Sequence, residues 1–400
     1  MSYRYRHQPL KGIYLTCQLL TTIFLRVPLW ILLAIPRSQR PRESWSVKRV
    51  VLVNFVRHFI GLSEKTGPII ALPNHLAITP GAKVNGIWVD PVPQLVTGKL
   101  QTWMSTSSVS PVRIPGYWIH KKGSTIKVGA APKPGEKVLY NFHGGAYIRL
   151  SAHPSDVTAN IVRGVLKHVD SIHRSFSLEY RLSSSKPFEV ANPFPAALLD
   201  ALAGYNYLVN VVGFAPEDII VAGDSAGGNL AHALTRYLVE YQKDQTNGNT
   251  EISLPKPPGG LLLLSPWCDL SVSHEGPSAS SHQFVESDYI HPVEGDISYA
   301  KDSFLGVMGR DAALHNPYIS PSSLDPALVV DFKGFPRTFI VAGGAEVLYD
   351  QIVTLRDRMI KDLGDKVTYY EAKDGIHDYL IFTWHEPERT DTLKAIAKWV

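Results

Sequence analysis

The stretch DIIVAGDSAGGNLAHALTRYLVEY, residues 218–241, decides the reading of this chain. It opens as a short apolar run of strand character and, from Asn229 on, carries apolar residues at helical spacing. Between the two stands GDSAGG, residues 223–228. A strand, a G-x-S-x-G turn and a helix in that order lift one serine above the end of a sheet. Gly223 and Gly227 flank Ser225 because side chains there would collide across so tight a turn. Ser225 is therefore the candidate nucleophile.

Upstream, HGGAY, residues 143–147, follows the apolar run KVLYNF, residues 137–142. Acyl transfer needs backbone N–H donors aimed at a developing oxyanion, and glycines let the chain approach the substrate closely. Gly144 and Gly145 are two candidate donors, and Ala226, next to the nucleophile, is a third. Further strand candidates are 176–180, 218–223, 259–265, 337–343 and 366–371. Helical periodicity falls near 155–168, 194–209, 226–241, 349–362 and 390–399. This alternation predicts an α/β fold with a mostly parallel central sheet, buried on both faces by helices. Residues 242–258 read as a polar surface loop. Residues 271–300, rich in Ser, His, Pro and Gly, read as a lid or substrate-contacting insertion.

Together these elements resemble the hormone-sensitive-lipase-like branch of the α/β-hydrolase family. The resemblance spans residues 110–385. It is carried in order by HGGAY, EYRLSSSKPFEVANPFPAALLDAL (179–202), GDSAGGNLAHAL (223–234), LLSPWCDLS (263–271), NPYISP (316–321), AGGAEVLYD (342–350) and DGIHDY (374–379). It implies an α/β-hydrolase fold and a serine carboxylic-ester hydrolase acting through an acyl-serine intermediate, without cofactor or metal. The substrates it implies are small to medium acyl esters, often of bulky or apolar alcohols.

A general base must take the Ser225 proton, and histidine titrates near working pH. Of fifteen histidines, His377 lies after the last strand candidate, in the order serine, acid, histidine, and matches the family's histidine element. His143 is expected to brace the oxyanion loop, and His7, His58, His168 and His173 to be surface or helix-borne. No HExxH spacing points to a metal. The orienting acid must project from the carboxyl end of a strand. Glu346 follows RTFIVAG by three residues, and the resemblance places EVLYD on the family's Asp-Pro-Leu-x-Asp, with Glu346 on the first acid. Asp350 is expected at a helix start, where free N–H groups favour a carboxylate. Asp378 is expected to be too close to His377 in sequence to serve as the orienting acid. Trp88, Trp103, Tyr117 and Trp118 line either an apolar cleft or the core.

The net charge of +4 conceals an asymmetry: residues 1–60 hold ten Lys or Arg against the single acid Glu43. Residues 13–35, IYLTCQLLTTIFLRVPLWILLAI, are long enough to cross a bilayer as a helix. Gln18, Thr21, Thr22 and Arg26 share one helical stripe, the pattern of an interfacial or protein-packed helix. Residues 1–60 are thus expected as a membrane anchor or cap helices. Residues 61–400 are expected as the catalytic domain, with cap or lid contributions from 61–120 and 271–300. Two cysteines, Cys17 and Cys268, and no Asn-x-Ser/Thr sequon favour a catalytic domain facing the cytoplasm, membrane-associated or soluble. No nucleic-acid motif accompanies the basic segment. The alternatives left open are an acyltransferase or other biosynthetic enzyme on the same scaffold, and an esterase-like small-molecule binding protein; the presence of His377 counts against the second.

Overall fold

The computed structural model describes residues 3–246, 252–291 and 296–400. Eight strands form one sheet: β1 Asn85–Val89, β2 Ile114–His120, β3 Lys137–Phe142, β4 Ile172–Leu178, β5 Ile219–Asp224, β6 Gly260–Leu264, β7 Arg337–Gly343 and β8 Val367–Ala372. Their spatial order is β1-β2-β4-β3-β5-β6-β7-β8. Every neighbouring pair from β4 to β8 is parallel, whereas β1–β2 and β2–β4 are antiparallel. The helices are α1 Leu10–Thr21, α2 Val27–Ala34, α3 Val47–Thr66, α4 Gly98–Thr106, α5 Ala159–His168, α6 Ala196–Asn206, α7 Ala226–Thr246, α8 Ser280–Gln283, α9 Asp296–Leu305, α10 Gly309–His315, α11 Tyr349–Leu363 and α12 Glu388–Trp399.

The strands carry unbroken apolar runs because both faces of the sheet are covered. Val138, Tyr140, Phe142, Ile219, Val221, Leu261 and Leu263 enter one core cluster, with α6 and α7. Their alternate neighbours Leu139, Ile220, Ala222, Leu262 and Leu264 enter the other, with α5 and α12. The two antiparallel strands at one end of the sheet, β1 at the edge and β2 beside it, are a departure from the sequence reading. Residues 61–120, expected as a cap contribution, supply both of them. Gly86, Pro115 and Gly116 break the strand pattern there, and the tertiary reason is local. A Cβ on Gly116 would lie 2.2 Å from the Phe176 ring of β4, so the position is glycine to let that ring pack. Of the stretch 242–258, residues up to Thr246 extend α7, and residues 247–251 lie outside the described residues.

One residue, Ser225, separates β5 from α7, and its φ is +52°. The turn is this tight because backbones touch. A Cβ on Gly223 would sit 2.1 Å from the Gly227 carbonyl oxygen, and one on Gly227 would sit 2.2 Å from that of Phe142.

At the N-terminus a continuous helix covers Leu10–Ala34, widened by a π turn at Thr22–Arg26. Pro28 lacks the N–H that would bond the Phe24 carbonyl, which accounts for the widening. Arg26 Nη1 bonds Thr21 Oγ1 at 2.5 Å and Thr22 Oγ1 at 3.4 Å, so three side chains of the polar stripe bond one another within the helix. The α2 segment packs on α3. In turn α3 is fastened to the catalytic part. Arg49 grips the Glu388 carboxylate at 2.9 and 2.8 Å, and Arg57 Nε donates to the Asp288 carbonyl at 2.8 Å.

Gly227→Ala discriminates two opposed effects. Helix propensity alone would favour alanine by about 0.5–1 kcal/mol, but the collision is with a backbone oxygen that cannot swing aside. The variant is expected to lose about 1–3 kcal/mol of unfolding free energy in a denaturant titration. A gain would mean that the strand and helix do not approach as described.

Candidate active site

Three strand ends converge on one edge of the sheet. Ser225 follows β5, Glu346 stands three residues beyond β7, and His377 stands five beyond β8. The Ser225 Oγ is 2.9 Å from His377 Nε2, and His377 Nδ1 is 2.9 Å from Glu346 Oε2. All three side chains are buried. The other oxygen of Glu346 accepts from the Gly343 N–H at 2.6 Å and from Ser265 Oγ at 3.1 Å. With the carboxylate so pinned, the Nδ1 proton points at Glu346 and Nε2 faces the serine.

Asp350 takes no part in this line. It lies in the first turn of α11, where its carboxylate accepts the Ser280 N–H at 2.7 Å while Ser280 Oγ accepts the Asp350 N–H at 3.0 Å. The reciprocal pair ties the start of α8 to the start of α11.

On the oxyanion side the structure departs from the sequence expectation for Gly144. The Gly144 N–H donates to Asp224 Oδ2 at 3.0 Å, so it is not the free donor expected of it. Ser225's own N–H is bonded to the Leu264 carbonyl at 3.0 Å. Among the described residues, the N–H groups of Gly145, Ala146 and Ala226 bond no intramolecular acceptor. Gly145 has φ +110°, and a Cβ there would strike the Arg149 carbonyl at 2.2 Å. His143 braces this loop: its Nδ1 bonds the Gly144 carbonyl at 2.7 Å, and its ring stacks on Tyr180 at 4.3 Å.

The profile of a family described as alpha/beta hydrolase fold, Abhydrolase_3, matches residues 139–381, more than half of the chain. The chain belongs to this family. Among curated relatives, an esterase of Acinetobacter venetianus is 26% identical over 73% of this chain and 82% of its own length. An acetyl-hydrolase of Streptomyces hygroscopicus is 29% identical over 67% of this chain and 75% of its own. Among solved structures, a hormone-sensitive lipase from a metagenome library aligns with a TM-score of 0.52 and 29% identity, over 71% of this chain and 79% of its own. This α/β hydrolase accordingly stands on the hormone-sensitive-lipase-like branch.

Several residues of the hydrolase site escaped the sequence reading. Asp288, within the 271–300 insertion, accepts the His377 N–H at 3.2 Å, the Tyr289 N–H at 2.7 Å and the Val347 N–H at 2.8 Å. It therefore clamps the acid loop and the histidine loop together; with Glu286 and Ser287 just before it, its surroundings in sequence read as polar and gave no sign of burial. Asp378, expected to be too close in sequence to serve as the orienting acid, lies away from Nδ1 but meets the ring on its serine-facing side, with Oδ2 3.1 Å from Nε2. Its φ of +46° turns the side chain back over the imidazole. Burial opposes a charge on His377, but the carboxylates of Asp378 and Glu346 overcome it and raise its pKa above the usual histidine range.

A cavity of about 20 Å³ adjoins Ser225, walled by Ala146, Trp267, Ile290, Ile297, Leu348 and Lys301 among others. Part of this wall comes from the 271–300 insertion, of which residues 292–295 lie outside the described residues. The aromatics left open between cleft and core lie away from this cavity: Trp103 packs on Phe194 and Tyr318, and Trp118 on Phe176. Trp267 is an aromatic that lines this cavity together with Ser225.

Beneath the oxyanion loop, Glu179 Oε1 lies 3.8 Å from His143 Nε2. Burial pushes Glu179 up to about 7 and His143 down to about 4. A carboxyl raised in the folded state binds its proton between its unfolded and folded values. Its contribution is therefore present below about 4.5 and lost as pH rises through 7. The lowered His143 acts oppositely, losing its contribution as pH falls through about 4. Glu179→Gln should thus gain stability relative to wild type between pH 5 and pH 8, by on the order of 3 kcal/mol, measured by denaturant titration at both. Parallel pH curves would contradict the assignment.

Proposed function

We propose that Ser225, His377 and Glu346 carry the chemistry of a carboxylic-ester hydrolase. The observation that supports this most is the continuous buried line from Ser225 Oγ through both ring nitrogens of His377 to the Glu346 carboxylate, each link 2.9 Å. The names of the relatives, esterase and acetyl-hydrolase, agree with it.

The sequence of steps follows from the geometry. Neutral His377 takes the Ser225 proton at Nε2 as Oγ attacks the acyl carbon. Glu346 stabilises the imidazolium that forms. The tetrahedral oxyanion is met by the free N–H groups of Gly145, Ala146 and Ala226, each such donor being worth about 2.7–4 kcal/mol in related sites. On collapse, His377 returns the proton to the departing alkoxide, which leaves as the alcohol. Water, deprotonated by His377, then attacks the acyl-serine, and the carboxylic acid leaves with Ser225 restored.

The N-terminal helix is a membrane anchor in this reading. Its 25 residues would reach about 37 Å, enough for a ~30 Å hydrocarbon core, and Leu19, Leu20, Phe24, Leu25, Leu32 and Leu33 are exposed. An interfacial placement fits better than a span. The α2 half packs on α3, whose exposed Lys48 and Lys65 belong at an anionic surface and not in hydrocarbon, while Arg49 and Arg57 are engaged by the catalytic part.

Two experiments test these assignments. Glu346→Gln should lower kcat on a short-chain ester by orders of magnitude, whereas Asp350→Asn should leave kcat within a few-fold and lower stability; the reverse pattern would exchange their roles. Removal of residues 1–36 should move the protein from the membrane to the soluble fraction. An unchanged distribution would refute the anchor.

A further inference from the structure

The contact between Asp378 and His377 has no place in the steps above. Asp378 Oδ2 and Ser225 Oγ lie 3.1 and 2.9 Å from the same nitrogen, Nε2. Asp378 is buried, and among the described residues its Oδ1 has no hydrogen-bond partner. A buried carboxylate oxygen left unpaired calls for a physical explanation. Its backbone N–H is held by Ser265 Oγ at 3.3 Å, the same hydroxyl that donates to Glu346. The residue is thus fixed to the acid side of the site while its side chain faces the nucleophile side.

A neutral imidazole with its proton on Nδ1 presents a lone pair at Nε2. A carboxylate oxygen 3.1 Å from that lone pair is repelled unless a proton lies between them. The arrangement therefore holds a proton on the Nε2 edge, in contact with Asp378 as well as Ser225. We propose that Asp378 is a positioning residue that holds His377 in its protonated form at rest and so sets the pH above which the ring becomes a base for Ser225. This rests on the reading of Ser225 and His377 as nucleophile and base.

The surroundings act in the same direction. Glu346 is on Nδ1, Asp288 holds the His377 N–H, and Asp224 at the end of β5 interacts with both His377 and Asp378. The Tyr289 ring lies 6.0 Å from the imidazole. The cation on this side is Arg57 of α3, which bonds the backbone carbonyl of Asp288 and interacts with its carboxylate. Asp378 heads the influences that raise the His377 pKa against burial. Before His377 can accept the serine proton, its Nε2 proton must leave, to solvent or to Asp378. Turnover then falls on the acid side of a limb displaced upward by this one carboxylate.

The test follows the His377 imidazole directly, by NMR titration of the full chain labelled with ¹⁵N-histidine, in wild type, Asp378→Asn and Asp378→Gly. The glycine variant suits the positive φ and guards against a folding defect in the first. Both variants should lower the His377 midpoint by about one pH unit or more, and the acid limb of kcat/KM for a short-chain ester should move down with it. An unchanged midpoint in the folded variants overturns the proposal, even if ester turnover depends on Ser225. A lowered midpoint in a protein without ester turnover would uphold the role of Asp378 on the ring and refute the hydrolase reading instead. A merely structural role would change stability and leave the midpoint where it is.

Discussion

The single residue between β5 and α7 is the constraint on which the site depends. At φ +52°, Ser225 can stand above the sheet only because Gly223 and Gly227 bring strand, turn and helix into backbone contact. The turn is held from three sides. Its N–H goes to the Leu264 carbonyl, and its own carbonyl accepts from Trp267 and Asn229. With the hydroxyl fixed at the carboxyl end of a parallel sheet, the loops after β7 and β8 deliver Glu346 and His377 to the same edge.

A concentration of buried carboxylates follows from that convergence. Asp224, Asp288, Glu346 and Asp378 all surround one imidazole, and burying them is costly unless each is bonded. Three of the four are paid for by backbone N–H groups: Asp224 by Gly144, Asp288 by Tyr289, Val347 and His377, and Glu346 by Gly343. The same bonds lock the loops that carry Glu346 and His377. Asp288 also connects this centre to the N-terminal segment, because Arg57 of α3 holds its carbonyl, and Arg42 holds that of Gly344. The helices that carry the exposed apolar surface are thereby joined mechanically to the acid and histidine loops.

The parallel part of the sheet was legible because its strands are apolar runs, those of β3, β5 and β7 ending in glycine turns, and KVLYNF and RTFIVAG coincide with β3 and β7. The antiparallel edge was hidden, since Gly86 and Gly116 owe their identity to neighbours in space, Ile78, Tyr117 and Phe176. Ser225, His377 and Glu346 could be named from their positions after strand ends, and they are brought together here. Asp288 could not, because its importance lies in three N–H groups from separate parts of the chain. Gly144 misled for a related reason: a glycine after a strand advertises an approachable N–H, but not that Asp224 occupies it. The contact of Asp378 with the other side of the ring was not legible either, because it depends on a backbone turned to φ +46°.

The central claim is that Ser225 is an activated nucleophile. Incubation of the folded protein with a fluorophosphonate, followed by peptide mapping, tests it most directly. The account predicts one phosphonyl adduct, on Ser225, formed in the native protein, absent after unfolding, and accompanied by loss of ester hydrolysis. Ester hydrolysis that persists with Ser225 unmodified, or an inactivating adduct on another residue, would contradict it.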